Sequence, residues 1–208
     1  MIDYCGKRLL LSVFHATSKP GKWAIELRYD REKCRTELFY PGAFNFLAEM
    51  TLGVPKINHV DFSYVQIPKH IESMFQHLTP SGECLVERKR PVFSPTFQMR
   101  PKKEEIYAFS GQVKAEFVVG INELVTEHQT YPGLKYDRTD AGYHYFKLPV
   151  EHPGHEYFKG CSGAPILDTD NNIVALVCGG CTKTDEIYGI DLGKYKVALD
   201  ITCSNILN

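Results

Sequence analysis

The stretch Lys159-Gly160-Cys161-Ser162-Gly163-Ala164-Pro165-Ile166 sets a small hydroxyl between two glycines, just ahead of an apolar run. Glycine opens backbone conformations closed to other residues, so these residues read as a tight turn feeding a strand. A serine in such a turn is either an ordinary turn residue or a nucleophile. As a nucleophile it is weak at neutral pH unless a base takes its proton, a carboxylate orients that base, and donors meet the oxyanion. The rest of the sequence is therefore read for a histidine and an acid that belong with Ser162.

Of eight histidines, His15 is set apart by its position. It ends the apolar run Leu9-Leu10-Leu11-Ser12-Val13-Phe14 and is followed by Ala16-Thr17-Ser18. A strand end is rigid and still opens to solvent, which suits a base. Asp61 lies within Asn58-His59-Val60-Asp61-Phe62-Ser63-Tyr64-Val65-Gln66-Ile67, an acid at the edge of a buried strand. A carboxylate there is costly unless something donates to it, and an imidazole N–H would. Asp30 is a poorer acid because charged neighbours, Arg31-Glu32-Lys33, surround it.

Taken together, these segments resemble the chymotrypsin-like (trypsin-like) serine proteases. Gly160-Cys161-Ser162-Gly163-Ala164-Pro165 is similar to the family's nucleophile motif, Leu10–Ala16 to its strand running into the histidine turn, and Val60–Val65 to its aspartate segment. The order is His, Asp, Ser, with gaps of 46 and 101 residues. Asn172–Gly180 resembles the strand lining the substrate cleft, and Tyr188–Leu192 the strand closing the primary specificity pocket.

The resemblance implies an all-β fold of two antiparallel six-stranded barrels with the active site between them. It assigns His15 as general base and acid, Asp61 as its orienting partner, and Ser162 as nucleophile. The backbone N–H groups of Gly160 and Ser162 would form the oxyanion hole. Counting back six residues from Ser162 puts Glu156 at the floor of the specificity pocket, which would favour cleavage after Lys or Arg. Cys178, Gly179 and Gly180 would line the same pocket, Gly180 leaving room for a long side chain.

Two features depart from the family pattern. Only fourteen residues precede His15, so the N-terminal barrel is expected to be short of strands: open, closed by another segment, or completed by a protein partner. Cys161 stands where zymogen-activated members carry an aspartate, so activation by trimming of the N-terminus is not expected. Cys161 itself sits one residue too early for a nucleophile and is read as a packing thiol.

Composition limits the alternatives. The 208 residues are 43% hydrophobic and 24% charged, with a formal net charge of −1, which favours neither nucleic acid nor an anionic membrane as partner. No run approaches the ~20 apolar residues of a membrane span. The apolar run after Lys7-Arg8 is six residues long and lacks a cleavage site, so it is read as a core strand, not a signal peptide. Seven cysteines, an odd number, fit reduced thiols and a cytoplasmic location. Cys178-Gly-Gly-Cys181 and His152-Pro-Gly-His155 have the spacing of zinc ligands. Metal on the cleft strand would obstruct substrate, however, so no metal or other cofactor is expected.

Along the chain, residues 1–80 are expected to carry the first barrel, 81–103 the connection, rich in proline and charge, and 104–208 the second barrel. Lys7–His15, Trp23–Tyr29, Val60–Ile67, Glu105–Phe109, Val113–Val119, Gly142–Leu148, Pro165–Leu167, Ile173–Cys178, Ile187–Leu192 and Lys196–Ile201 read as strands. Turn residues at Tyr131-Pro132-Gly133 and Gly179-Gly180 separate some of them. Ile71, Met74, Phe75 and Leu78 recur at helical spacing and predict a short helix over 69–78, with His70 and His77 exposed. The remaining histidines, His59, His128 and His144, are expected to be surface or partly buried bystanders. The sequence thus points to an intracellular serine endopeptidase acting on protein or peptide, of narrow specificity or controlled by a partner. The alternatives are an inactive protease-like binding module and a zinc-stapled β module.

Overall fold

The computed structural model describes residues 1–18, 23–50, 57–79, 81–95, 97, 100–118 and 123–204. Its elements run β1 (Ile2–Tyr4), β2 (Lys7–Ser12), α1 (Phe14–Thr17), β3 (Ile25–Asp30), β4 (Arg35–Phe39), β5 (Asn45–Met50), β6 (Ile57–Ile67), β7 (Met74–Leu78), β8 (Cys84–Lys89), β9 (Ile106–Val118), β10 (Glu123–Asp140), β11 (Tyr143–Lys147), β12 (Pro165–Leu167), β13 (Ile173–Cys181), β14 (Glu186–Asp191) and α2 (Lys196–Cys203). The protein is all-β apart from its short helices. No helix among the described residues is long and apolar enough to cross a membrane.

The C-terminal half closes into a six-stranded barrel in the order β10-β11-β14-β13-β12-β9, every adjacent pair antiparallel. Its interior is filled by Tyr107, Phe109, Leu134, Phe146, Ile166, Val174, Val177 and Ile187, all buried. Closure leaves this sheet without an exposed edge. The N-terminal half is open among the described residues. It consists of a four-stranded sheet, β1-β2-β6-β5, and two separate hairpins, β3-β4 and β7-β8.

One apolar cluster joins the halves. Ile2, Leu9, Leu11, Val13, Val60, Phe62 and Tyr64 from the N-terminal sheet pack with Ile173, Leu176, Ile190, Leu192, Tyr195 and Leu199. Phe62 is fully buried, and its ring stacks on that of Tyr195 at 5.4 Å. Polar contacts reinforce the junction: the Tyr4 hydroxyl donates to Asp200 at 2.5 Å, Lys7 Nζ donates to the Thr202 carbonyl at 3.0 Å, and the Tyr64 and Thr202 hydroxyls lie 2.7 Å apart. This junction fixes the position of β6, and with it Asp61, relative to the barrel that carries Ser162.

Several local expectations are corrected. The helix expected over 69–78 is replaced by β7, which pairs with β8 from Met74↔Lys89 to Leu78↔Cys84. Helical spacing in so short a segment yields to the partner strand, and His70 and His77 stay exposed. The segment expected as a connection therefore contains a strand, and Arg88 covers the Phe75 ring at 4.8 Å. Thr96, Gln98 and Met99, within that segment, lie outside the described residues, as do Pro80 and Lys19–Gly21 of the expected first barrel and Val119 of the expected strand Val113–Val119.

Lys196–Ile201 is helix, not strand. Leu199 and Cys203, four apart, are buried while Val197 and Ile201 face solvent, a helical period. Tyr131-Pro132-Gly133 is a bulge inside β10, where the register with β9 shifts between Tyr131 and Leu134. A bulge accommodates proline without breaking the strand. Gly179 and Gly180 continue β13 rather than ending it, paired with Tyr188 and Ile187. His144 is almost fully buried rather than a surface residue, its Nδ1 2.7 Å from the Thr139 hydroxyl.

Candidate active site

His15 sits on α1, the single helical turn that follows β2. The Thr17 hydroxyl lies 2.8 Å from Ser63 Oγ and 3.1 Å from the Val13 carbonyl oxygen, which ties this turn to β6. Asp61 stands two residues before Ser63 on the same strand face. Its Oδ1 accepts from the His15 backbone N–H at 2.9 Å, and both carboxylate oxygens lie 2.9–3.0 Å from His15 Nδ1. An ionised carboxylate only accepts, so Nδ1 carries the ring proton and Nε2 is left as an acceptor. Ser162 Oγ lies 2.8 Å from that Nε2.

Burial alone would push the Asp61 carboxyl up. The ring and backbone donors of His15 outweigh burial, and the Cys178 thiol adds to them, so the carboxyl titrates below the ordinary aspartate range. Burial and the Asp61 charge push the Cys178 thiol well above the usual range, keeping it neutral.

The nucleophile turn is built from both of its flanks. The Ala164 N–H donates to the Cys161 carbonyl at 2.9 Å and closes the turn. Gly163, at its third position, has φ +85°, a conformation for which such turns use glycine. Gly163 N–H and Val177 N–H reach across in opposite senses, to the Val177 and Ala164 carbonyls, each at 2.8 Å, and clamp the turn onto β13. Cys161 is buried beneath it, its thiol donating to the Gln112 carbonyl at 3.0 Å and pushed up to about 12 by burial. Gly160 has φ +101°. Among the described residues, the N–H groups of Gly160 and Ser162 have no hydrogen-bond partner, so both remain available as donors.

Beside Ser162 is a cavity of about 200 Å³ whose lining includes Cys178, Gly179 and Gly180, together with His152 and Phe158. Glu156 is not part of it. Its side chain is 83% exposed and pairs with Lys159, because residues 155–160 form consecutive turns that carry the carboxylate outward. Counting back six residues assumed a shorter loop than the chain has. His152, ten residues before Ser162, is a buried ionisable group in the cavity wall, beside the thiols of Cys161 and Cys178. The sequence showed it as half of an H-x-x-H pair. Among the described residues, no three metal-ligating side chains gather into a cluster. Two further residues were not singled out from sequence: Ser12, packed against Gly163, and Cys178 in its role beside Asp61.

A closed antiparallel barrel, a second β half packed across an apolar junction, and a serine, histidine and aspartate meeting at that junction define the fold as that of the chymotrypsin-like serine proteases. Among solved structures, the chain is similar to neuropsin, a serine protease expressed in the limbic system of mouse brain. That likeness has a TM-score of 0.56 at 12% identity, covering 94% of this chain and 85% of the other. No protein-family model matches the sequence, and no curated protein does.

Proposed function

We propose that this protein is a serine endopeptidase. The observation that carries this reading is the 2.8 Å contact between Ser162 Oγ and the acceptor nitrogen of His15, whose other nitrogen is held by Asp61. In the proposed reaction His15 Nε2 takes the Ser162 proton as Oγ attacks the scissile carbonyl. Asp61 stabilises the imidazolium that results. The Gly160 and Ser162 N–H groups donate to the oxyanion. Collapse of the tetrahedral species breaks the C–N bond, with His15 returning its proton to the leaving amine. Water, deprotonated by the same imidazole, then hydrolyses the acyl-Ser162 ester.

The open N-terminal half exposes Leu38, Tyr40, Phe46, Leu85 and Val86, which supports narrow specificity or control by a protein partner that completes this half. The substrate is protein or peptide, and the proposed location is the cytoplasm. The test is turnover of a peptide library by the full chain and by Ser162→Ala and His15→Ala. Cleavage by the parent chain that both variants lose supports the reading. No cleavage by the parent chain, or equal cleavage by the variants, leaves the domain as a protease-like binding module.

A further inference from the structure

The His152 side chain lines the cavity beside Ser162 and carries a donor that has no partner among the described residues. Only 6% of the residue is exposed. Its Nδ1 accepts the Gly154 N–H at 3.0 Å, so in the neutral ring the proton is on Nε2. That Nε2 is buried and, among the described residues, has no hydrogen-bond partner. It faces Gly180 on the cavity wall, where a Cβ would lie 2.5 Å away. Glycine at 180 is what lets the ring reach the cavity. The ring is held in place by its own backbone N–H, which donates to Asp185 Oδ1 at 2.8 Å, and by edge contact with Phe158 at 5.0 Å.

A buried N–H left unpaired costs folding free energy, and a ligand that supplies an acceptor recovers it. We infer that His152 is the specificity-determining residue of this cavity, and that it selects a substrate side chain ending in a carboxamide, glutamine above all, immediately before the scissile bond. The inference rests on the proposed peptidase reading and names its substrate class.

The choice of an uncharged acceptor follows from the surroundings. Burial, then the neighbouring His155, pushes the His152 ring towards its neutral form. The cation at the cavity, Lys159, is already paired with Glu156 outside it. A substrate carboxylate would thus lose its hydration against a neutral donor, and a lysine would set a cation against an N–H. A carboxamide oxygen accepts from Nε2–H with no charge to bury. A site built around such a donor rejects analogues that cannot accept from it.

The experiment measures kcat/KM for peptides differing only in that residue (Gln, Asn, Glu, Leu, Lys) on the full chain and on His152→Leu, with active sites counted by fluorophosphonate labelling. The Gln peptide is expected to exceed the Leu, Glu and Lys peptides at least tenfold, and His152→Leu to reduce the Gln-to-Leu ratio at least tenfold. Because both rates come from the same folded molecules, a poorly folded fraction leaves the ratio unchanged. Preference for Lys or Leu, or an unaltered ratio in the variant, overturns the inference while leaving the peptidase reading intact. If the parent chain neither labels nor cleaves, the peptidase reading fails. The His152 inference is then decided by the ring-nitrogen resonances of labelled histidine on adding a peptide with a C-terminal glutamine. A shift at His152 supports it, and no shift overturns it.

Discussion

Ser12 of β2 stands directly against Gly163 of the nucleophile turn: a Cβ on Gly163 would lie 2.9 Å from Ser12 Oγ and 3.5 Å from Ser12 Cα. The N-terminal sheet thus touches the turn that positions Ser162, and it does so through the strand that leads into His15. Gly163 meets two demands at once, the left-handed backbone and the absence of a side chain.

Gly163→Ala is therefore expected to lower stability by about 1–2 kcal/mol from backbone strain alone, with a further loss from the collision. Adding Ser12→Ala should recover the collision part and not the backbone part. Thermal unfolding of the single and double variants checks this. Equal stability of all forms would contradict the packing described.

Replacing Asp61 with asparagine keeps the shape of the side chain and changes which atoms donate. The amide can donate to His15 Nδ1, which turns the ring proton towards Nε2 and removes the acceptor facing Ser162. Turnover is expected to fall by roughly 10³–10⁴-fold with little change in KM. Steady-state kinetics on a single peptide reads both constants.

The buried carboxylate of Glu186 predicts how stability depends on acid. Hydrogen bonding from Arg138 outweighs the cost of burial, and Thr184 and Lys147 assist, lowering the carboxyl from 4.5 to about 2. A carboxyl depressed by folding contributes stability that is complete above its unfolded value and is lost as pH falls towards its folded one. Between pH 4.5 and about 2 the parent chain should thus lose more melting temperature than Glu186→Gln. Thermal scans across that range decide it, and parallel profiles would count against the ion pair.

Phe62, fully buried at the junction of the halves and stacked on Tyr195, should be among the costliest core positions. Truncation to alanine is expected to cost about 3–5 kcal/mol, measured by denaturant unfolding. Loss of peptide cleavage at temperatures where the chain is still folded would show that the junction also holds Asp61 against His15.

The all-β fold was legible in the sequence, and the residues of the candidate site were picked out by their local setting. His15 and Ser162 announce themselves locally, one by ending an apolar strand and the other by lying between two glycines. Asp61 is the single acid of the strand Ile57–Ile67. The errors lie where partners distant in sequence decide the outcome. Met74–Leu78 has helical spacing but becomes a strand because Cys84–Lys89 is there to pair with it. Val197, Leu199 and Ile201 alternate like a strand, yet only Leu199 is buried, because the N-terminal sheet covers one face of a helix. The cavity was misread because the fold at residues 155–160 depends on successive turns, which a count back from Ser162 does not register. Burial, not spacing, distinguishes His152.

The central claim, that Ser162 is a nucleophile activated by His15, is tested most directly by treating the full chain with a fluorophosphonate and locating the adduct by mass spectrometry. One adduct per chain, on the peptide containing Ser162 and absent from His15→Ala and Ser162→Ala, is the predicted result. A folded chain that takes up no label, or takes it up equally when His15 is replaced, would contradict it.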